Sequence, residues 1–543
     1  MRHNRFWLFV LVSTAVLIFL GATQQEKSLN KKNAGYESLI QLFKEFRNFQ
    51  KPKVSNSVPD YSWAAMEKQK REFPDFQKRL AAMAPRTWPV AHRVDYEIVR
   101  AEMNGLEFDH RVLRPWSRDP CFYAVITTSG PDVPAREGPE IYGALCLADF
   151  PFPLPGDKKA EFRDKLKAIP AILAQAKINL TEDARDLWRL GIRQKKEESA
   201  VLDDLAARLA KLHPDLAPLA EGAKSAVDGF RDWLEQKSRA MTAPSGIGIA
   251  EFNWYMKNVH LVPYTWEEQY SIVQRELKRA LSYLKLEEHR NLRLPPLEPP
   301  SSKEELQRRL KEGVETYMNF LRRDEIFTVP DYMRLNSEVS GFIPAERRDF
   351  FTQVDYLDPL PLLCHSVHWL EKQRETRNLH PIRGLPLLYN IWDSRAEGFA
   401  TAFEEMMLQA GLFDKNPRAR ELVYILLVFR CVRAIDDLKL HSGEFSLDDA
   451  VKFAVENTPR GWVLPDGDTI WGDLTIYLHQ PGYGTSYVVG KVQVEKTMAD
   501  YARQKGETFR LKNFLDELFT KGLIPASLIR WEMTGFEDKI LIQ

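Results

Sequence analysis

Cysteine is scarce in this chain: four in 543 residues, at Cys121, Cys146, Cys364 and Cys431. None has the close paired spacing of a structural zinc site, which excludes zinc-finger and zinc-ribbon scaffolds. Export would permit a Cys121–Cys146 disulfide, and spacing leaves that pairing open. Cys364 and Cys431 sit in apolar contexts that suit buried thiols. Net charge is absent too, with 76 Lys and Arg against 76 Asp and Glu. Nothing in that balance calls for nucleic acid or an anionic membrane surface as partner. Period-two alternation is nearly missing, the best short piece being 122–127. There is no internal repeat and no low-complexity tract. Only one long apolar run occurs, at 6–20, and it is short of the ~20 residues that span a bilayer.

That run is preceded by Arg2, His3 and Arg5 and followed by Gly21 and Ala22. A basic start, an apolar stretch and small residues are the layout of a secretory signal. Residues 1–22 therefore read as a signal peptide or an uncleaved N-terminal anchor. The chain is expected in the periplasm or cell envelope, touching the membrane only through this segment if it is retained. No cysteine lies near it to carry a lipid.

With 44% hydrophobic and 28% charged residues the remainder is an ordinary globular composition able to bury a large core. Apolar residues recur at helical spacing in 36–49, 94–112, 157–178, 180–212, 219–241, 265–286 and 303–322. The same holds for 358–377, 394–410, 419–441, 447–456, 486–505 and 511–519. Thr265 before Trp266, Glu267 and Glu268 is a helix start. The expected fold is all-α, a large multi-helix protein with a cleft. A Pro-rich linker at 294–300 separates an N-terminal helical half, 23–293, from a C-terminal half, 301–543.

The C-terminal half carries the residues with chemical potential. His365 and His368, three apart, share a helix face with Glu371 and Lys372 on the next turn. Two imidazoles so placed suit a metal, or a packed histidine pair beside Trp369. Glu397, early in a helix and followed by Gly398, suits a third ligand or an acid favoured by the helix dipole. Arg430, Arg433, Asp437 and His441 make a polar stripe on an otherwise apolar helix; it must form a buried ion network or line a cleft. In Gln480-Pro481-Gly482-Tyr483-Gly484-Thr485-Ser486-Tyr487 the proline and glycines make a tight loop, with Ser486 as cap of the next helix. Tyr483 or Tyr487 could there stabilise an oxyanion, or the segment is a simple helix-entry turn.

Taken in order, these clusters resemble a bacterial family known as domain of unknown function 885, whose members look like helical zinc peptidases of the peptidyl-dipeptidase type. Glu397-Gly398-Phe399-Ala400 is similar to the family's Glu-Gly-Trp-Ala element. Arg430, Arg433, Asp437 and His441 fall in register with its Arg-Ala-x-Arg helix. Pro481, Gly482, Ser486, Tyr487 and Gly490 match a later element, as do Phe509, Phe514, Asp516, Gly522 and Pro525. The resemblance spans about 88–531 and is strongest after 389. It implies zinc as the metal and a peptide in the cleft as partner.

The family's His-Glu-x-x-Pro-Gly-His helix is absent. Aligning His368 with the last histidine puts Leu362 and Leu363 at the first histidine and the glutamate. Aligning His365 with the first puts Ser366 at the glutamate and Glu371 at the last histidine. Either register loses the general base that activates a metal-bound water. Leu515 replaces a further family histidine. The expectation is an exported protein of metallopeptidase-like descent, without peptidase activity, that keeps a binding cleft. One alternative is an altered metal hydrolase, with His365, His368 and Glu397 as ligands and Glu371 or Glu404 as base. Another is a structural envelope protein. On these readings Glu371, His441 and Tyr487 are catalytic candidates, and Arg430, Arg433 and Tyr483 contact substrate. Cell fractionation is expected to recover the chain outside the inner membrane; cytosolic protein with residues 1–22 intact would refute export.

Overall fold

Apolar residues spaced three and four apart bury one stripe of a helix, and this pattern becomes helix almost everywhere. The computed structural model describes residues 35–130 and 141–541, and it is 69% helix and 2% strand, so the all-α expectation holds. The apolar segment at 6–20 lies outside the described residues. Among the described residues no helix is long and apolar enough to cross a membrane. All four cysteines are free thiols, Cys121 and Cys146 included.

After a first helix at 35–49, the N-terminal half contains α1 (Val90–Phe108), α2 (Gly156–Asn179), α3 (Arg185–Leu212), α4 (Ala217–Ser238) and α5 (Trp266–Arg290). Thr265 and Glu268 form a reciprocal capping box at the start of α5, which satisfies two amides the helix itself cannot. The sequence 294–300 is an extended connection held by side chains: Arg418 donates to the carbonyls of Leu294 and Pro295, and Arg309 to that of Glu298.

The C-terminal half contains α6 (Leu360–His365), α7 (Val367–Glu375), α8 (Asp393–Gln409), α9 (Ala419–Ser442), α10 (Asp468–His479), α11 (Tyr483–Lys505) and α12 (Ala526–Thr534). α9 is central, buried on nearly every face from Ala419 to His441. It packs on α5 and α11, while α12 returns to α1. One hydrophobic cluster runs through both halves, from Leu39 to Leu541.

α8 and α11 approach more closely than side chains normally allow. A Cβ on Gly398 would lie 2.3 Å from the carbonyl carbon of Gly490, and one on Gly490 would lie 2.1 Å from the carbonyl oxygen of Ser394. Glycine at both positions lets backbone meet backbone.

Three local expectations need correction. The single helix at 358–377 is two, α6 and α7, joined at Ser366. The backbone of Ser366 leaves helical ψ, and its hydroxyl donates back to the carbonyl of Leu362, a local bond that competes with helix continuation. α11 begins at Tyr483, so Ser486 is no cap; its hydroxyl donates to the Tyr483 carbonyl. Gly482, with φ of +88° and Met256 packed where a side chain would be, makes that entry. The piece at 122–127 is a 3₁₀ turn (Pro120–Tyr123) and a two-residue strand (Ile126–Thr127) paired in parallel with Leu145–Cys146.

Replacing Gly490 with alanine should force α8 and α11 apart and cost about 1–3 kcal/mol or more. Gly222, inside α4, offers open space to a Cβ, with no atom within 4 Å. There the same change should stabilise by up to about 1 kcal/mol. Urea unfolding of the two variants measures both signs.

Candidate functional site

Along one wall of a cavity of about 660 Å³ stand His365, His368, Glu397, Arg433, Tyr483 and Tyr487. The lining continues through Gly384, Leu385, Pro386, Leu387, Trp392 and Leu523, with Lys372 among its members. The histidines come from the broken helix and Glu397 from α8. The three offer donor atoms that all lie within 4.8 Å of one another.

The break at Ser366 shapes this group. The Trp369 N–H bonds the carbonyl of Ser366, not that of His365. The His365 carbonyl is thereby free to accept from His368 Nδ1 at 2.7 Å. That bond fixes the His368 proton on Nδ1 and leaves Nε2 as a lone pair. Burial pushes the pKa of His368 down to about 4, against the pull of Glu397, so its ring is neutral at ordinary pH.

His365 meets Glu397 Oε2 through Nε2 at 3.3 Å and Glu404 Oε1 through Nδ1 at 2.9 Å. Arg430 lies 3.1 Å from the same Nδ1 and pairs with Glu404. Accepting from Arg430 sets the proton of the ring on Nε2. With the proton on Nε2, the ring donates to Glu397 and accepts from Arg430. Glu404 Oε1 approaches the same Nδ1 at 2.9 Å without the angles of a hydrogen bond. The 3.3 Å spacing suits an edge of a tetrahedral zinc site, about 3.3–3.4 Å for bonds of ~2.0–2.1 Å.

Glu397 accepts from the Tyr483 hydroxyl at 2.7 Å through its other oxygen. Burial alone would raise its pKa, but the His365 bond, the two imidazoles and Tyr483 outweigh burial and hold the pKa at about 2. It is an anion among neutral or donor groups, which suits a cation ligand.

The structure separates the other candidates. Tyr487 lines the cavity, its ring 6.1 Å from His365 and beneath the Arg433 guanidinium at 4.6 Å. Arg430 and Arg433 also line it, yet both guanidinium groups are engaged: Arg430 by Glu404, Arg433 by Asp473 at 2.7 Å and the Tyr477 hydroxyl at 2.6 Å. Glu371 is not among the lining residues. It is buried in a bidentate ion pair with Arg395, itself fully buried. Burial raises its pKa to about 7, and Arg395 opposes the rise. Glu404, the other candidate base, sits behind His365 with Arg430 rather than facing the cavity. His441 is wholly buried and off the cavity, its Nε2 donating to the Tyr477 carbonyl at 2.9 Å. Its role is to bolt α9 to α10.

Asp473 and Tyr477 also belong to this site, and local sequence pattern does not single them out. Their spacing of four places them on one face of α10, opposite the Arg433 of the polar stripe, and that complementarity is the available signal. Burial pushes the pKa of Asp473 up to about 6 while Arg433 pulls it down.

These groups define a helical protein with a histidine–carboxylate cluster on a cavity wall. A family model described as bacterial protein of unknown function (DUF885) matches residues 369–533. That span holds Glu397, Arg430, Arg433, Tyr483 and Tyr487; His365 and His368 fall just before it. Among solved structures, a candidate lipoprotein of unknown function from Shewanella oneidensis superposes with a TM-score of 0.66 at 16% identity, covering 92% of this chain and 98% of that one. A candidate lipoprotein from Colwellia psychrerythraea gives 0.64 at 14% identity, covering 93% and 98%. These likenesses extend the fold over nearly the whole chain. No curated protein gives a significant match.

Replacing Glu371 with glutamine should cost about 3–5 kcal/mol, because Arg395 is left charged, buried and unpaired. Urea unfolding measures it. A residue that served the cavity as base would instead show its effect on turnover with stability unchanged.

Proposed function

We propose that the chain is an exported protein whose cavity binds a ligand through a divalent cation of the zinc class held by His365, His368 and Glu397. One observation carries the reading: the three donors converge within 4.8 Å, and the His365 carbonyl holds the Nδ1 proton of His368 so that its Nε2 keeps a lone pair. Such a cation would supply Lewis acidity and a strong electrostatic anchor for a ligand oxygen. The resemblance to a zinc-peptidase-like family supports the choice of metal.

Charge counting indicates the kind of ligand. Arg430 is neutralised by Glu404 and Arg433 by Asp473, so a divalent ion on the single carboxylate of Glu397 leaves one net positive charge. Lys372 and Glu375, both among the lining residues, offset each other. The cavity therefore favours a carboxylate or a carbonyl-bearing ligand such as a peptide end.

Binding is favoured over cleavage because the carboxylates lining the cavity are committed. Glu397 is the proposed ligand, Asp473 pairs with Arg433, and Glu375 accepts from Asn378. A peptidase also needs a carboxylate able to take a proton from the attacking water, help worth about 10²–10⁴-fold. Export to the envelope rests on the basic and apolar N-terminal segment and agrees with the description of both structural neighbours as candidate lipoproteins.

The test is metal analysis of the purified mature chain beside a His365→Ala, His368→Ala variant, with hydrolysis of a mixed peptide library in added zinc. The wild type should carry metal that the variant loses, with no chelator-sensitive cleavage. Robust cleavage abolished by chelator and by Glu397→Ala would replace this reading with that of an altered metal hydrolase. Equal metal content in both proteins would leave only a structural envelope role.

A further inference from the structure

A second group of donors lies away from the cavity, where the N-terminal half meets the end of α10. Asp119 and Cys121 belong to the 3₁₀ turn Pro120–Tyr123 and its cap, and His479 is the last residue of α10. The carboxylate, thiol and imidazole donor atoms lie within 4.8 Å of one another. Asp119 uses its two oxygens differently. Oδ1 accepts the Cys121 amide at 2.9 Å and so fixes the turn, while Oδ2 faces His479 Nε2 at 3.0 Å. That second approach lacks the angles of a hydrogen bond, and Nε2 is shut off from solvent without another partner. Nitrogen and oxygen thus point at a common space more than at each other.

We propose that Asp119 Oδ2, Cys121 Sγ and His479 Nε2 form a second cation site, of the zinc class. Carboxylate, thiolate and imidazole are an accepted zinc donor set. Binding takes the neutral imidazole through its Nε2 lone pair and displaces the thiol proton of Cys121 to solvent. Burial holds that thiol protonated in the free protein, and Asp119 adds to the effect. The carbonyl end of α10 adds partial negative charge beside His479. The nearby ammonium of Lys195 does not oppose a cation with a free charge, being engaged by Glu198 at 2.8 Å and the Tyr123 carbonyl at 2.7 Å. The site would clip the 120–123 turn to α10, the helix whose Asp473 and Tyr477 hold Arg433 at the cavity.

Cobalt(II) titration of the full mature chain tests this, because cobalt bound to a thiolate gives a near-ultraviolet charge-transfer band and the cavity donors include no sulfur. The band should appear in the wild type and in His365→Ala, His368→Ala, and be lost in Cys121→Ser and in His479→Gln. Zinc should also protect Cys121 of the unaltered protein from alkylation, read by peptide mapping; this arm needs no variant to fold. Absence of the band from the wild type together with unprotected Cys121, or persistence of the band in Cys121→Ser, would overturn the site. Failure of the cavity reading has a different signature: the histidine variant keeps the wild-type metal content while the band is unaffected.

Discussion

The contact of Gly398 with Gly490 is the constraint on which the cavity depends. Two helices whose backbones touch are fixed in separation, rotation and register together, because any Cβ at the crossing would collide with main chain. Glu397 precedes one glycine, and Tyr483 lies two turns before the other. Their 2.7 Å bond is the consequence of that crossing. Main-chain contact is stiff in a way that long side chains are not. The position of Glu397 is therefore inherited from the scaffold rather than from its own side-chain conformation.

α9 imposes the second constraint. A helix buried all round should carry no charge, since an unpaired buried ion costs several kcal/mol. This one carries Arg430, Arg433, Asp436, Asp437 and His441. Most are matched by groups of neighbouring helices: Arg430 by Glu404 of α8, Arg433 by Asp473 of α10, and His441 by a carbonyl of α10. Asp437 accepts the amides of Gly482 and Thr485 and so anchors the entry to α11; burial still pushes its pKa up to about 8. Asp436 follows the other route open to a buried acid. Burial drives it well above the ordinary carboxylate range, which favours its neutral form. Each matched pair specifies one arrangement of the helices, since a slipped register would strand a charge. The stripe is thus the ion network that its composition allowed, and one side of it also faces the cavity.

Much of this was legible in the sequence. The all-helical class, most helix limits within a few residues and the capping at Thr265 follow from local spacing and residue chemistry, while the approach of Glu397 to His365 and His368 is what the family resemblance implied. What was not legible depends on one hydroxyl or on distant partners. Ser366 breaks a helix whose apolar periodicity continues on both sides, and periodicity cannot report a bond from a side chain to its own backbone four residues earlier. Glu371 shares a face with His368 on paper, but Arg395 from another helix claims it. His441 lies in register with cavity residues, yet two further turns of α9 carry it past the cavity to the end of α10. In each case tertiary pairing decided a position that local pattern left open.

The break at Ser366 bears on which side chains reach the cavity. In an unbroken helix the carbonyl of His365 would be consumed by the amide of Trp369, and a residue four positions after His365 would stand beside it. Here the carbonyl is released, and His368, three positions on, uses it to set its own tautomer. The rearrangement orients a lone pair toward Glu397. It also turns Glu371 inward, where Arg395 holds it in a buried ion pair. The segment that sets two imidazoles before one carboxylate thus keeps Glu371 out of the cavity lining. A cation held there would attract and orient an oxygen atom, while Glu371 stands in the core, paired with Arg395.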